Sequence, residues 1–479
     1  MGGARVGTSG HHESKIGLHG AERGDSGPWS VDSWRAKPGA EVVRFEDARA
    51  LRESTSRLAQ LPPLVTSWEI ERLKSQLDEA QRGERFVLQG GDCAESIEEC
   101  RPETIAAKLK ILLQMSLVLA RGAKRPVVRM GRFAGQYAKP RTSAVEVQRI
   151  DGREVSLPSY FGDMVNSIEF TPKARTPDPS RLVGAYMHAA ATLNFVRSLV
   201  HGGFADMHHP ENWELPALRH ASPTPELRAR YERLRESVAE GVRLMESVGE
   251  RTIEELARVE FFTCHEALML EYEAASTRSV PRRTGFYDLS THMPWVGERT
   301  RHVDGAHVEF ARGIRNPVGV KIGPTATPEE VVRVCAVLNP HEEGGKVTLI
   351  TRLGAMEVER VLPGLIRTIR RAGHRVLWIC DPMHGNGRTT SGGLKTRRFE
   401  DITAEFERTL DVHRALGSTL GGLHVEVTGE DVAECVGGMA NVREEDLDGR
   451  YRSVCDPRLN YQQALELSFV VAERLGAGL

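Results

Sequence analysis

The chain has 479 residues, 40% hydrophobic and 27% charged, an ordinary soluble globular balance with room for one large core or two smaller ones. Lys plus Arg number 64 against 66 Asp plus Glu, so a formal charge of −2 gives no field to recruit nucleic acid or an acidic membrane. No apolar run reaches a membrane span, and the seven scattered cysteines argue for a reduced, cytoplasmic protein rather than a disulfide framework.

Residues 1–28 are rich in Gly, His and Ser without an apolar core, and read as a flexible leader. Residues 29–80 read as an N-terminal extension with a helical piece at Trp68–Leu77. From residue 81 to 479 the chain alternates aliphatic runs with helical segments. The runs are Phe86–Leu88, Pro126–Arg129, Val259–Thr263, Met293–Val296, Val318–Ile322, Val347–Thr351, Arg375–Cys380 and Gly422–Val427. Helices are expected around Ile105–Leu119, after Pro328, at Val361–Ile369 and at Asp401–Leu416.

The periodicity breaks between the second and third runs, where a helical insertion is expected at about residues 175–250. It holds a helix over Asp178–Gly202 and a second with a Thr224–Pro225 start and a Gly249 stop. Along the second helix, Leu227, Tyr231, Leu234, Val238, Val242, Met245 and Val248 recur at three- and four-residue spacing. Such a stripe is ordinarily a decorating helix packed on a core; an interface or effector site is the sharper alternative.

Short, uniformly apolar strands alternating with helices imply a parallel sheet covered on both faces, and eight of them imply an α/β fold of the (β/α)8 TIM-barrel type. In such barrels the working residues follow each strand, on the carboxyl-end face. Here the runs lead in turn to Cys93, Arg132, His265, Glu298–Arg299, Lys321, Arg352, Asp381–His384 and Glu426. A polar residue after one strand means nothing; repetition at nearly every strand points to one shared site.

Arg132, Arg299, Lys321 and Arg352 follow four different strands, with Lys139, Arg141 and Arg301 nearby. Any one alone is ordinarily a solvated or paired surface charge. Together they would converge on the barrel axis and repel one another unless an anion with more than one acidic group lay between them. Cys93, His384, Glu426 and Asp456 are candidate metal ligands, although no close-spaced zinc pattern joins them. A mixed sulfur, nitrogen and oxygen set suits Mn²⁺, Co²⁺, Fe²⁺ or Zn²⁺ rather than Ca²⁺ or Mg²⁺. No GxGxxG, P-loop or nucleophile elbow is present, so nothing supports nucleotide binding.

These motifs have a family likeness. Leu88-Gln-Gly-Gly-Asp-Cys-Ala-Glu95, Gly131-Arg-Phe-Ala-Gly-Gln-Tyr-Ala-Lys-Pro-Arg141, Trp295-Val-Gly-Glu-Arg-Thr-Arg301, Lys321-Ile-Gly-Pro324, Asp381-Pro-Met-His-Gly-Asn386, His424-Val-Glu-Val-Thr-Gly-Glu430 and Cys455-Asp-Pro-Arg-Leu-Asn460 stand in order along the chain. In these the chain resembles the type II 3-deoxy-D-arabino-heptulosonate 7-phosphate (DAHP) synthases. The resemblance implies a metal-dependent enzyme that condenses phosphoenolpyruvate with erythrose 4-phosphate, the first step of the shikimate pathway. It implies that Cys93, His384, Glu426 and Asp456 hold a divalent metal, Mn²⁺ first, and that Arg132, Glu298, Arg299, Lys321 and Arg352 hold phosphoenolpyruvate. Glu298, Lys321 and Arg352 would be catalytic, and Lys139, Arg141, Thr142 and Lys395 would take the aldose phosphate.

Two positions depart from the family: Thr142 stands where Ser is usual, and Phe161 in Ser159-Tyr-Phe-Gly-Asp163 replaces an arginine. The second leaves room for a secondary-metabolism relative taking an amino-erythrose phosphate or another aldose phosphate. Alternatives of another class are a metal-dependent phosphohydrolase and an inactive regulatory paralogue. The resemblance also implies a homo-oligomer, with aromatic amino acid effectors and a chorismate mutase partner as further expectations. Cys455 is a candidate disulfide partner of Cys93 under oxidation.

Overall fold

The computed structural model describes residues 28–39, 43–141, 143–202, 224–230, 232, 233, 236 and 259–476. Residues 1–27 of the expected leader, Thr142, and the expected stripe at Tyr231, Leu234, Val238, Val242, Met245 and Val248 lie outside the described residues.

Eight parallel strands close into a barrel: β1 (Phe86–Gly91), β2 (Val127–Arg132), β3 (Phe262–Glu266), β4 (Met293–Val296), β5 (Val318–Ile322), β6 (Val347–Thr351), β7 (Leu377–Cys380) and β8 (Leu420–Glu426). Each pairs with its neighbours in chain order and β8 pairs with β1, which is the (β/α)8 arrangement. Nearly every strand residue is buried, because helices cover the outside and side chains fill the inside.

Outside the barrel run α1 (Ala48–Gln60), α2 (Ser67–Gln81), α3 (Pro102–Ala123), α4 (Ser180–His201), α5 (Ala306–Gly313), α6 (Pro328–Leu338), α7 (Val358–Arg371), α8 (Phe399–Ala415) and α9 (Tyr461–Leu475). The expected helical pieces fall within α2, α3, α4, α6, α7 and α8, with ends moved by a few residues. α6 starts where a Thr327 and Glu330 capping box satisfies the first amides and Pro328 fixes the first turn. α2 has a further task. Its Leu73, Leu77 and Ala80 share one apolar cluster with Val87, Val128, Leu377 and Ile379 of the barrel interior, so it stoppers the amino end. The opposite end stays open for chemistry.

Between β2 and β3 lies α4, as expected, preceded by an antiparallel hairpin of Val145–Ile150 and Arg153–Pro158 that the periodicity did not reveal. Leu227 begins the expected stripe and is buried in the cluster that also holds Val196 and Val200 of α4. Among the described residues no helix is long and apolar enough to cross a membrane.

Candidate active site and metal centre

Inside the barrel, alternate residues of a strand face the axis. On β8 this sends both His424 and Glu426 inward, and on β2 and β5 it sends Arg132 and Lys321 to meet them. The His424 Nε2 accepts from Arg132 Nη1 and Lys321 Nζ, each at 2.8 Å. Both donors lie over the Trp295 ring, Arg132 Cζ at 5.3 Å and Lys321 Nζ at 5.8 Å from its centroid. Burial, followed by the charges of Lys321 and Arg132, pushes His424 well below the ordinary histidine range, so it is a neutral acceptor. Burial also lowers Lys321 to about 8, with Asp381 opposing and Arg132 reinforcing the shift.

Above this layer lie the candidate ligands. His384 Nδ1 donates to Asp381 Oδ2 at 2.7 Å, which orients the ring and turns Nε2 toward Glu426. That Nε2 is 2.9 Å from Glu426 Oε1. Ligand atoms of His384, Glu426 and Asp456 lie within 4.8 Å of one another, and so do those of Cys93, Cys455 and Asp456. Asp456 joins the two groups, with its Oδ2 3.4 Å from Cys93 Sγ. The Lys139 ammonium sits among them, 2.6 Å from Cys93 Sγ, 3.0 Å from Asp456 and 3.7 Å from Glu426. Burial alone would lower Lys139, yet Asp456, Cys93 and Glu426 drive it well above the ordinary lysine value. A place that holds a charged ammonium so strongly is a cradle for a cation. Its thiol, imidazole nitrogen and two carboxylates suit a transition ion.

Charges around the cradle are balanced unevenly. Burial would raise Glu426, but His384, Arg397, Lys139 and Arg132 hold it well below the usual carboxylate range. Burial, then a hydrogen bond to Cys455 and the charge of Asp456, push the Cys93 thiol well above its ordinary value. A metal ion held there would take the place of the thiol proton.

Asp456 comes from beyond the last strand of the barrel. The chain passes β8 and returns: Val427 bridges Leu459 in parallel, Leu459 N donates to Glu426 O at 2.9 Å, and the turn before it presents Asp456. One expectation, the end of β3, needs correcting. The expected run stopped at Thr263 and made His265 its tip, but the strand continues to Glu266. His265 therefore faces outward, buried, with Nε2 2.8 Å from Glu273 Oε1. Its neighbour Glu266 lines the cavity instead, which follows from the two-residue period of a strand.

That cavity, about 600 Å³, opens at the carboxyl end. Arg132, Arg299, Lys321 and Arg352 line it together with Glu298, and so do Lys139, Arg141 and Lys395. Glu298 accepts from Gly323 N at 2.5 Å and lies 3.4 Å from Arg301. Burial pushes its carboxyl up, and Arg301 and Arg352 oppose that. Arg352 reaches across to the carbonyl of His384. Lys395 donates to Asp456 Oδ1 at 2.8 Å, and Arg141 Nη2 to Glu146 Oε1 at 3.0 Å. Phe161 does not line the cavity. Its ring packs beside the apolar cluster of Tyr137, Met164 and Val165, while its carbonyl accepts from Lys139 N at 2.9 Å.

Sequence reasoning missed Glu266 and Arg397. Arg397 Nη1 donates to Glu426 Oε2 at 2.7 Å, and nothing in the Lys395-Thr-Arg-Arg398 run distinguishes it from its solvated neighbour Arg398.

The class-II DAHP synthetase family model matches residues 29–472. This chain belongs to that family. A phospho-2-dehydro-3-deoxyheptonate aldolase of Neurospora crassa is 47% identical over 461 residues, covering 93% of this chain and 94% of the relative. One of the same name from Streptomyces coelicolor is 45% identical over 447 residues, covering 93% and 97%. The chain is accordingly an enzyme of the class-II DAHP synthetase family, and the cavity described above lies within the matched span.

Proposed function

We propose that this enzyme condenses phosphoenolpyruvate with D-erythrose 4-phosphate and water to give DAHP and phosphate, with Mn²⁺ as its metal, as the first step of the shikimate pathway. The observation that carries the reading is a single cavity in which candidate metal ligands, His384 and Asp456 among them, lie beside many basic side chains. Two phosphorylated substrates meeting at one cation require that layout.

Cys93, His384, Glu426 and Asp456 would hold the ion, which when bound supplies Lewis-acid polarisation of the aldehyde oxygen. Arg132, Arg299, Lys321 and Arg352 would grip the phosphate and carboxylate of phosphoenolpyruvate and aim its C3 at the aldehyde carbon. Lys139, Arg141 and Lys395 would take the aldose phosphate. As the C3–C1 bond forms, water adds to C2, and the C2–O bond to phosphate breaks. Glu298, a half-buried carboxylate held by Gly323 N, would orient that water and accept its proton. The cations stabilise charge as it develops on the departing phosphate. Erythrose 4-phosphate is preferred over an amino analogue because Phe161 lies off the cavity wall, so the missing arginine leaves the wall's own cations in place.

Steady-state assays of the Mn²⁺-loaded protein test this. Phosphate should appear only when both substrates are present, with erythrose 4-phosphate favoured at least about tenfold in kcat/KM over its amino analogue and five-carbon aldose phosphates. Phosphate released from phosphoenolpyruvate alone would make the chain a phosphohydrolase. No turnover with metal bound would make it a regulatory paralogue.

A further inference from the structure

We propose that Glu405 on α8 is a positioning residue that, with Asn386, ties the loop carrying Arg352 to the loop carrying His384, and so sets phosphoenolpyruvate and metal binding together. The inference rests on the functional reading above.

Glu405 is 1% exposed and touches neither cavity nor candidate ligand. Its Oε1 accepts from Leu353 N and Gly354 N, each at 2.8 Å, directly after Arg352. Its Oε2 accepts from Asn386 Nδ2 at 2.7 Å, two residues after His384. Asn386 completes the joint, because its Oδ1 accepts from Ala355 N at 3.0 Å and its Nδ2 donates to Pro382 O at 2.9 Å. The two loops touch at bare backbone there: a Cβ on Gly385 would stand 2.2 Å from Gly354 N. Beyond the joint, Arg352 Nη2 donates to the His384 carbonyl. A guanidinium from one loop and an imidazole from the next are thereby held at one spacing.

The joint's chemistry is selective. All three groups facing the Glu405 oxygens are N–H donors, so only a carboxylate satisfies them together. In Glu405→Gln, an amide oxygen kept on the two backbone amides turns its NH2 toward the Asn386 NH2. Asn386 cannot flip in answer, since its own oxygen already takes Ala355 N. The conservative change therefore opens one link of the joint and spares the rest.

Glu405→Gln and Asn386→Ser are compared with wild type, all assayed well below their melting temperatures. The expected result for Glu405→Gln is a roughly tenfold rise in KM for phosphoenolpyruvate and a rise in the Co²⁺ dissociation constant of about tenfold, as is usual when groups behind a metal ligand are disturbed. The Co²⁺ visible spectrum should shift with it. KM for the aldose phosphate should stay within about twofold, because Lys139, Arg141 and Lys395 hang on other loops. Asn386→Ser should move the same two quantities less. A merely structural Glu405 would lower the melting temperature and leave both quantities and the spectrum alone; that result in either variant overturns the proposal. Were wild type to fail the condensation assay, the functional reading would fall, and the Co²⁺ affinity and spectrum would still decide whether the joint positions His384.

Discussion

Two buried lysines stand at opposite ends of the same barrel. Lys346, just before β6 at the amino end, donates to the carbonyls of Ile314 and Asn316, each at 2.6 Å. Lys321, at the carboxyl end of β5, donates to Asp381 and to the His424 ring, which Arg132 also shares. Burial lowers both, Lys346 to about 7 with Lys74 adding to the effect, and Lys321 to about 8. By burial and shift the two are alike. Their difference lies in what surrounds them: Lys346 has two carbonyls matched to the two N–H bonds of a neutral amine, whereas Lys321 opens onto a cavity walled by further cations. A displaced lysine marks a site only when its surroundings leave charge to be answered by a ligand.

The sharpest way to break this comparison is to remove each ammonium. Lys321→Met should lower kcat/KM for phosphoenolpyruvate by about 10³-fold or more, since the charge is offered to an anion in a dry site, while thermal unfolding changes little. Next in size is a pH effect on wild type. Phosphoenolpyruvate favours the protonated Lys321, so its KM should rise about tenfold per unit above pH 8 in steady-state assays, and Lys321→Arg should flatten that limb. Lys346→Met should behave in the opposite sense. Its kinetics should stay within about twofold of wild type, while denaturant unfolding shows a loss of about 1–3 kcal/mol from two buried carbonyls left unpaired.

The smallest effect sharpens the amino end alone. The folded state lowers the Lys346 value below that of the unfolded chain, so between about pH 7 and the ordinary lysine range the unfolded chain binds more protons. The stability of wild type relative to Lys346→Met should therefore grow as pH rises through that window. Unfolding measured at two pH values reads it, and a fall instead of a rise would mean that the amine is charged in the fold.

How much of this was written in the sequence differs by region. The strands were legible because each is a short aliphatic run between turn residues, and the site because its side chains follow those runs. The aliphatic signal ends β3 three residues early, enough to put His265 on the cavity and hide Glu266, because Cys264, His265 and Glu266 carry no aliphatic signal of their own. The hairpin before α4 did have a signal, the alternation of Val145 and Val147 and an Asp151-Gly152 turn whose φ values are 48° and 78°. The aliphatic runs do not include it, because Val145 and Val147 alternate with Glu146 and Gln148 and form no continuous apolar stretch. Glu405 was illegible for a different reason. A glutamate on an amphipathic helix ordinarily faces water, and only the packing of two loops against α8 shows that this one does not.

Convergence of the Cys93 sulfur with His384, Glu426 and Asp456 on one cation is what everything else depends on. Equilibrium dialysis with Co²⁺, read by metal analysis and by the thiolate-to-cobalt absorption band, tests it directly. The account predicts one Co²⁺ per chain with the band present in wild type, and in Cys93→Ala no band and weaker binding. A bound Co²⁺ without a thiolate band in wild type, or the same band in Cys93→Ala, would contradict it.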